Sequence, residues 1–210
     1  MNQIKENRAM NVAFLVYDQV EVLDLNGPLD VFVKANAVIP GSYTCYTVGH
    51  TVEPVYTEAN TMAILPNYGI DTCPRPDMIV IPGANPDQIM RYLQDEKFQD
   101  GILKWVTAQY AAGVIIFTIC TGSMLLSQTG LLANRSITTH AMLLDKLEEY
   151  NPSSTVKRDV RYVDDGQLIT TAGITAGIDA ALYVIAKQQS EEVAAVIVQL
   201  FEYQQSQKSS

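Results

Sequence analysis

The sequence predicts an α/β protein: one domain with a mostly parallel β-sheet sandwiched by helices. Three observations carry this reading. Short runs of β-branched and apolar residues recur, NVAFLVY at 11–17, DMIVI at 77–81 and VIIFTI at 114–119, and they lack the polar alternation of a strand with one wet face. Helix-compatible segments stand between the strands, so the two kinds of element alternate along the chain. The third run breaks abruptly into Cys120-Thr121-Gly122-Ser123 ahead of a helix-compatible stretch at 124–128, the pattern of a nucleophile elbow after a central strand.

The first strand is expected over 11–17, with a turn at Asp18-Gln19. Residues 21–25 lead into Asn26-Gly27-Pro28, and Pro28 suits a first helical position, so a helix is expected from there to about Ala37. Pro40-Gly41 stops the chain beyond it. Residues 43–48 alternate like a strand, 62–65 are a short strand candidate, and 77–81 form a buried strand ending in Pro82-Gly83-Ala84. Helices are expected at 86–93 and 97–112, the second closed by Gly113. After the elbow come a short strand at 137–138 and a helix at 141–150 with a charged face, closed by Asn151-Pro152. Residues 158–163 and 167–170 flank Asp164-Asp165-Gly166, a hairpin signal. Gly173 to Gly177 opens an apolar helix reaching about Gln188, and a last helix is expected at 191–203. Residues 1–10 read as a mobile leader, 11–203 as the domain and 204–210 as a disordered tail. There is no linker, repeat or second core.

A chain of 210 residues suits one such domain and buries a sizeable core. With 48% hydrophobic and 18% charged residues it has the composition of a soluble globular protein. A net charge of -9 disfavours nucleic acid and anionic membranes as partners. No apolar run approaches the ~20 residues of a membrane-spanning helix, and the polar start lacks the apolar core of a signal peptide. Three cysteines at unrelated spacings, without a Cys-x-x-Cys or Cys/His cluster, suggest free thiols in a reducing cytoplasm and no metal site.

Sites in parallel sheets lie at the carboxyl ends of the strands, and three segments fall there: the turn after the first strand, Pro82-Gly83-Ala84, and the elbow. Cys120 on the elbow is either a nucleophile or a buried core thiol. A sulfur at a helix N-terminus would be favoured as the thiolate. Asp24, among Val22, Leu23 and Leu25, is either a desolvated general acid or a helix cap. Gly83 and Ala84 would place N–H groups near the sulfur as an oxyanion-type site, and Thr121 would offer its N–H and hydroxyl. His140 would pair with the cysteine or cap the following helix. The glycines of the segment from Ala172 to Asp179 do not form a phosphate-binding pattern. They fit close packing of the helix on the elbow, with Ile174 lining the pocket.

Taken together, VIIFTICTGSMLLSQTGLLANRSITTH, TAGITAGIDAAL, LDLNGPLDVF and DMIVIPGA resemble the ThiJ/PfpI superfamily, from Asn11 to Phe201. The resemblance implies a flavodoxin-like fold of the class I glutamine amidotransferase type. Within the superfamily, CTGS followed by TTH, with GITAGID and LDL-x-x-P-x-DVF, is most similar to the isocyanide hydratases. These add water to an isocyanide carbon and release an N-substituted formamide. The family's nucleophile then matches Cys120, its acid/base Asp24, and its residue after the cysteine Thr121. The resemblance implies no cofactor, a small-molecule substrate and a homodimer. Peptidase-like members carry histidine where this chain has Thr121. The hydratases read Pro-Gly-Gly where it has Pro82-Gly83-Ala84, and the loop Asn85-Pro86-Asp87 differs too. An alanine there resists positive φ and adds a methyl to the pocket. Two other readings remain: a thiol enzyme acting on reactive carbonyls such as glyoxals, and a ligand or oxidant sensor using Cys120. Superfamily domains are also fused to helix-turn-helix modules. None follows here, and with the acidic charge no DNA-binding role is expected.

Overall fold

The computed structural model of the chain describes residues 8–204. Its strands are β1 (Met10–Leu15), β2 (Tyr43–Gly49), β3 (Val55–Tyr56), β4 (Ala63–Ile64), β5 (Tyr68–Gly69), β6 (Met78–Ile81), β7 (Ile115–Thr118), β8 (Ser136–Ile137), β9 (Thr155–Val156), β10 (Tyr162–Asp165) and β11 (Leu168–Thr171). The helices are α1 (Val22–Val38), α2 (Pro86–Tyr92), α3 (Glu96–Phe98), α4 (Lys104–Ala111), α5 (Gly122–Leu125), α6 (Leu144–Tyr150), α7 (Ala176–Gln188) and α8 (Glu191–Leu200).

Seven strands form the main sheet in the order β10-β11-β7-β6-β1-β2-β5. Every pairing in it is parallel except the β10–β11 hairpin, which turns at Gly166. Alternate side chains of the apolar strands feed two cores. Val12, Phe14, Met78, Val80 and Phe117 pack with Val31, Phe32, Ala180 and Ile197 of α1, α7 and α8. Ala13, Leu15, Ile79, Ile81 and Ile116 pack on the other face with Ile89, Val106 and Leu147. A strand buried on both faces has no polar side, which explains the unbroken apolar runs.

The α/β class with a mostly parallel sheet is thus observed. Several boundaries differ. The α1 helix starts six residues before Pro28, which lies inside it; Glu21 is the N-cap, its side chain accepting from the Asp24 N–H. Pro28 falls in the second turn, where its missing N–H deprives only the carbonyl four residues back. The helix expected at 97–112 is interrupted by a π-helical segment, Gln99–Leu103. Gly101 there sits against His50, where a β-carbon would come within 2.8 Å of Nε2. The short strand near 62–65 pairs with β3 outside the main sheet, and β8 pairs with β9. The last helix ends at Leu200. Met10 belongs to β1, so the leader is shorter than expected. The rest of the leader, 1–7, and the tail at 205–210 lie outside the described residues.

The order β2-β1-β6-β7-β11 places a topological switch point between β1 and β6, since the chain winds outward from β1 in both directions. The crevice beyond the carboxyl ends of β1 and β6 receives the start of α1 and the turn at Gly83. The elbow after β7 adjoins it.

Candidate active site

Cys120 has a backbone φ of 57°, in the left-handed region that a β-carbon disfavours. Its neighbours hold it there. Its N–H donates to the Ala172 carbonyl (3.2 Å) and Thr171 Oγ1 (3.3 Å). Its carbonyl accepts from Thr139 Oγ1 (2.9 Å) and the His140 N–H (3.3 Å). Strain fixed on both sides is typical of a functional position. The elbow also demands Gly122, where a β-carbon would stand 2.3 Å from the Ile81 carbonyl oxygen. A β-carbon on Gly177 would reach Ile119 Cγ2 at 2.9 Å, so α7 does pack closely on the elbow.

The expected thiolate is not favoured. Burial first, and the charge of Asp24 second, push the Cys120 thiol up to about 12. The N–H groups of Ile174 and Thr121 act the other way and are outweighed. The sulfur is withdrawn from water, and the helix behind it, α5, is one turn followed by a 3-10 turn, too short for a substantial dipole.

Asp24 occupies the first turn of α1 and is 0% exposed. It is not the cap; Glu21 Oε2 accepts its N–H at 2.6 Å. Asp24 Oδ2 accepts from the Gly83 N–H at 3.0 Å, while the buried Oδ1 has no hydrogen-bond partner. Burial, then the Glu21 charge, push the carboxyl up to about 8, against the lowering effect of the Gly83 N–H and the Cys120 thiol. Asp24 therefore holds a proton at neutral pH. Carboxyl and thiol are near enough to shift one another, though no hydrogen bond of standard geometry closes between them.

Gly83 and Ala84 do not supply the expected oxyanion donors. The Gly83 N–H is taken by Asp24, and the Ala84 N–H donates to Thr121 Oγ1 at 2.9 Å. Thr121 Oγ1 in turn donates to the Ala84 carbonyl at 2.7 Å, so its hydroxyl is committed to the turn. The second glycine of the hydratase pattern is not needed here, because Ala84 has no positive φ and its methyl is buried in the core. The N–H groups that do act on the sulfur belong to Thr121 and Ile174. Ile174 has φ 30°. Its loop is anchored by Arg161, which bonds Asp179 Oδ2 (2.6 Å) and Thr175 Oγ1 (2.9 Å). His140 takes the capping role: Nδ1 accepts from the Met142 N–H at 3.2 Å, and its ring fills the space beside Gly173.

The family model of the DJ-1/PfpI family matches residues 10–187. The chain belongs to the DJ-1/PfpI family. Over 195 residues it is 31% identical to the isonitrile hydratase of Pseudomonas putida, covering 93% of this chain and 79% of that protein. A transcriptional regulator of the HTH type from Pseudomonas aeruginosa, GbdR, is 24% identical over 195 residues, covering 92% of this chain but 51% of the regulator. Among solved structures, a THiJ/PfpI family protein of Pseudomonas syringae superposes with a TM-score of 0.80 at 28% identity, covering 98% of this chain and 80% of that one.

Two neighbours of the pair in this DJ-1/PfpI chain escaped the sequence reading. Glu21 was passed over as a residue leading into the helix; its signal was its place three positions before Asp24. Tyr17, at the end of the first apolar run, donates its hydroxyl to the Pro82 carbonyl at 2.6 Å. Burial is the main cause holding Tyr17 well above its ordinary value, followed by the neighbouring Tyr92 and then by Asp24 and Cys120. Among the described residues no group of three or more His, Cys, Asp or Glu is placed to hold a metal ion, and no helix is long and apolar enough to cross a membrane.

Proposed function

We propose that the protein hydrates a small isocyanide to an N-substituted formamide, with Cys120 as nucleophile and Asp24 as acid/base. Isocyanide and isonitrile name the same group, so the Pseudomonas putida relative supports this substrate class. The observation that carries the reading is the buried, proton-bearing Asp24 with its unpartnered Oδ1, set beside a thiol that is itself protonated at rest.

A neutral acid and a neutral thiol suit this electrophile. The terminal carbon of R–N≡C accepts both a nucleophile and a proton. Asp24 gives its proton to that carbon as the Cys120 sulfur bonds to it, and the S–H proton passes to the Asp24 carboxylate. The product is a thioimidate, R–N=CH–S–Cys120, with Asp24 protonated again. Water then adds to the carbon while one of its protons goes to the nitrogen, giving R–NH–CH(OH)–S–Cys120. The C–S bond breaks, the hydroxyl proton returns to sulfur, and R–NH–CHO leaves. The sum is one isocyanide and one water to one formamide, with no cofactor taking part. A thiol held at about 12 is a poor peroxide target, which weighs against the oxidant-sensor reading.

We also propose that the protein works as a homodimer in the cytoplasm. A mainly apolar groove of about 510 Å³, lined by Leu23, Gly27, Val33, Ile178 and Phe201 together with Asn26 and Asp30, offers a face for the partner. The decisive experiment is turnover of a simple alkyl isocyanide by wild type, Cys120→Ser and Asp24→Asn. Formamide from the wild type and none from either variant is expected. A wild type that makes no formamide overturns the assignment and favours the carbonyl substrates.

A further inference from the structure

Two groups that titrate or carry charge act on Asp24, Glu21 at the N-cap of α1 and Cys120 on the elbow, and Asp24 in turn acts on Tyr17, two residues past β1. The Tyr17 hydroxyl is bound to the Pro82 carbonyl, and Asp179, on the α7 helix packed against α1, is tied to Arg161. Glu21 is therefore the carboxylate beside the Asp24 acid. A closed ring of hydrogen bonds holds it there. Glu21 Oε2 accepts the Asp24 N–H (2.6 Å), the Glu21 N–H donates to the Gly83 carbonyl (2.9 Å), and the Gly83 N–H donates to Asp24 Oδ2 (3.0 Å).

The position is unusual for an acid that must keep its proton. An aspartate in the first turn of the 17-residue α1 would ordinarily be ionised by the positive end of the helix dipole. Glu21 changes that balance. Its carboxylate occupies a free N–H of the helix terminus and sets a negative charge against the dipole, next to the buried carboxyl.

We propose that Glu21 is a positioning residue whose charge keeps the proton on Asp24. It touches no substrate in this scheme and acts only through Asp24. The inference deepens the acid role assigned to Asp24 above, but its test does not require turnover. The raised Asp24 carboxyl, with the Glu21 charge as the second cause after burial, supports it.

The test is an infrared titration of the protonated carboxyl band, assigned by its loss in Asp24→Asn. The wild-type midpoint is expected at about 8. Glu21→Gln keeps an oxygen acceptor for the Asp24 N–H but removes the charge, and the midpoint should fall by roughly one pH unit. Glu21→Asp retains the charge and should stay close to wild type. A midpoint in Glu21→Gln equal to that of the wild type overturns the inference. So does a fall in Glu21→Asp as large as in Glu21→Gln, because the cap geometry would then be the cause. Isocyanide turnover measured alongside separates the two ideas: no formamide together with the expected shifts sinks the hydratase assignment and leaves the role of Glu21 standing.

Discussion

Gly83 and Asp24 are joined by a 3.0 Å hydrogen bond from the backbone N–H to Oδ2. That bond ties the turn after β6 to the first turn of α1 across the switch point of the sheet. It also leaves the buried Oδ1 without a hydrogen-bond partner.

Gly83→Ala should break this arrangement. A β-carbon there would stand 2.4 Å from Thr121 Oγ1, 2.8 Å from Asp24 Oδ2 and 2.8 Å from the Thr121 backbone nitrogen. The expected cost is about 1–3 kcal/mol in urea unfolding, with loss of turnover. Unchanged stability and activity would show that the turn is looser than described.

The same acid makes stability depend on pH. Asp24 binds its proton up to about pH 8 in the folded chain, against 3.8 for an ordinary aspartate. Between those values the folded state holds the extra proton, so stability falls as pH rises and levels off above pH 8. Urea midpoints compared at the two ends of this window should show Asp24→Asn losing this decline. The difference from wild type is expected on the order of a few kcal/mol.

Thr121→Val removes the hydroxyl that both donates to and accepts from Ala84. Two buried backbone groups would be left unpaired, at roughly 2 kcal/mol or more in thermal or urea unfolding. Thr121→Ser keeps the hydroxyl and should lie within about 1 kcal/mol of wild type. Equal behaviour of the two variants would count against the hydroxyl bridge.

Cys120 should resist mild peroxide at neutral pH, because burial keeps the sulfur protonated. Peptide mass spectrometry is expected to find no sulfinic acid at Cys120, and alkylation there should accelerate as pH climbs toward 12. Rapid oxidation at pH 7 would restore the sensor reading.

The sheet and its elbow were legible because the signals are local. Apolar runs at β1, β6 and β7, short and bounded by turn residues, read as strands buried on both faces, and a cysteine just before Gly122 at the end of such a run reads as lying on a tight turn. Where packing decides, the same reasoning failed. Pro28 looked like a helix start because proline suits a first turn, yet the Glu21 cap had already begun the helix. The break at Gln99–Leu103 carries Gly101 against His50, some fifty residues earlier, a contact the local sequence does not contain.

By itself, then, the sequence determined which residues are candidates for the site: a cysteine on an elbow, an aspartate in an apolar setting and a glycine at a strand end. These follow from side-chain type and near-neighbour pattern. Only the tertiary structure decided the protonation of the pair and the partners of each N–H. A dipole argument from sequence favoured the thiolate, but desolvation by burial reversed it. Gly83 and Ala84 were read as free donors, but their N–H groups found Asp24 and Thr121. Burial and long-range hydrogen bonds depend on what folds against a residue, and one segment read alone does not contain that.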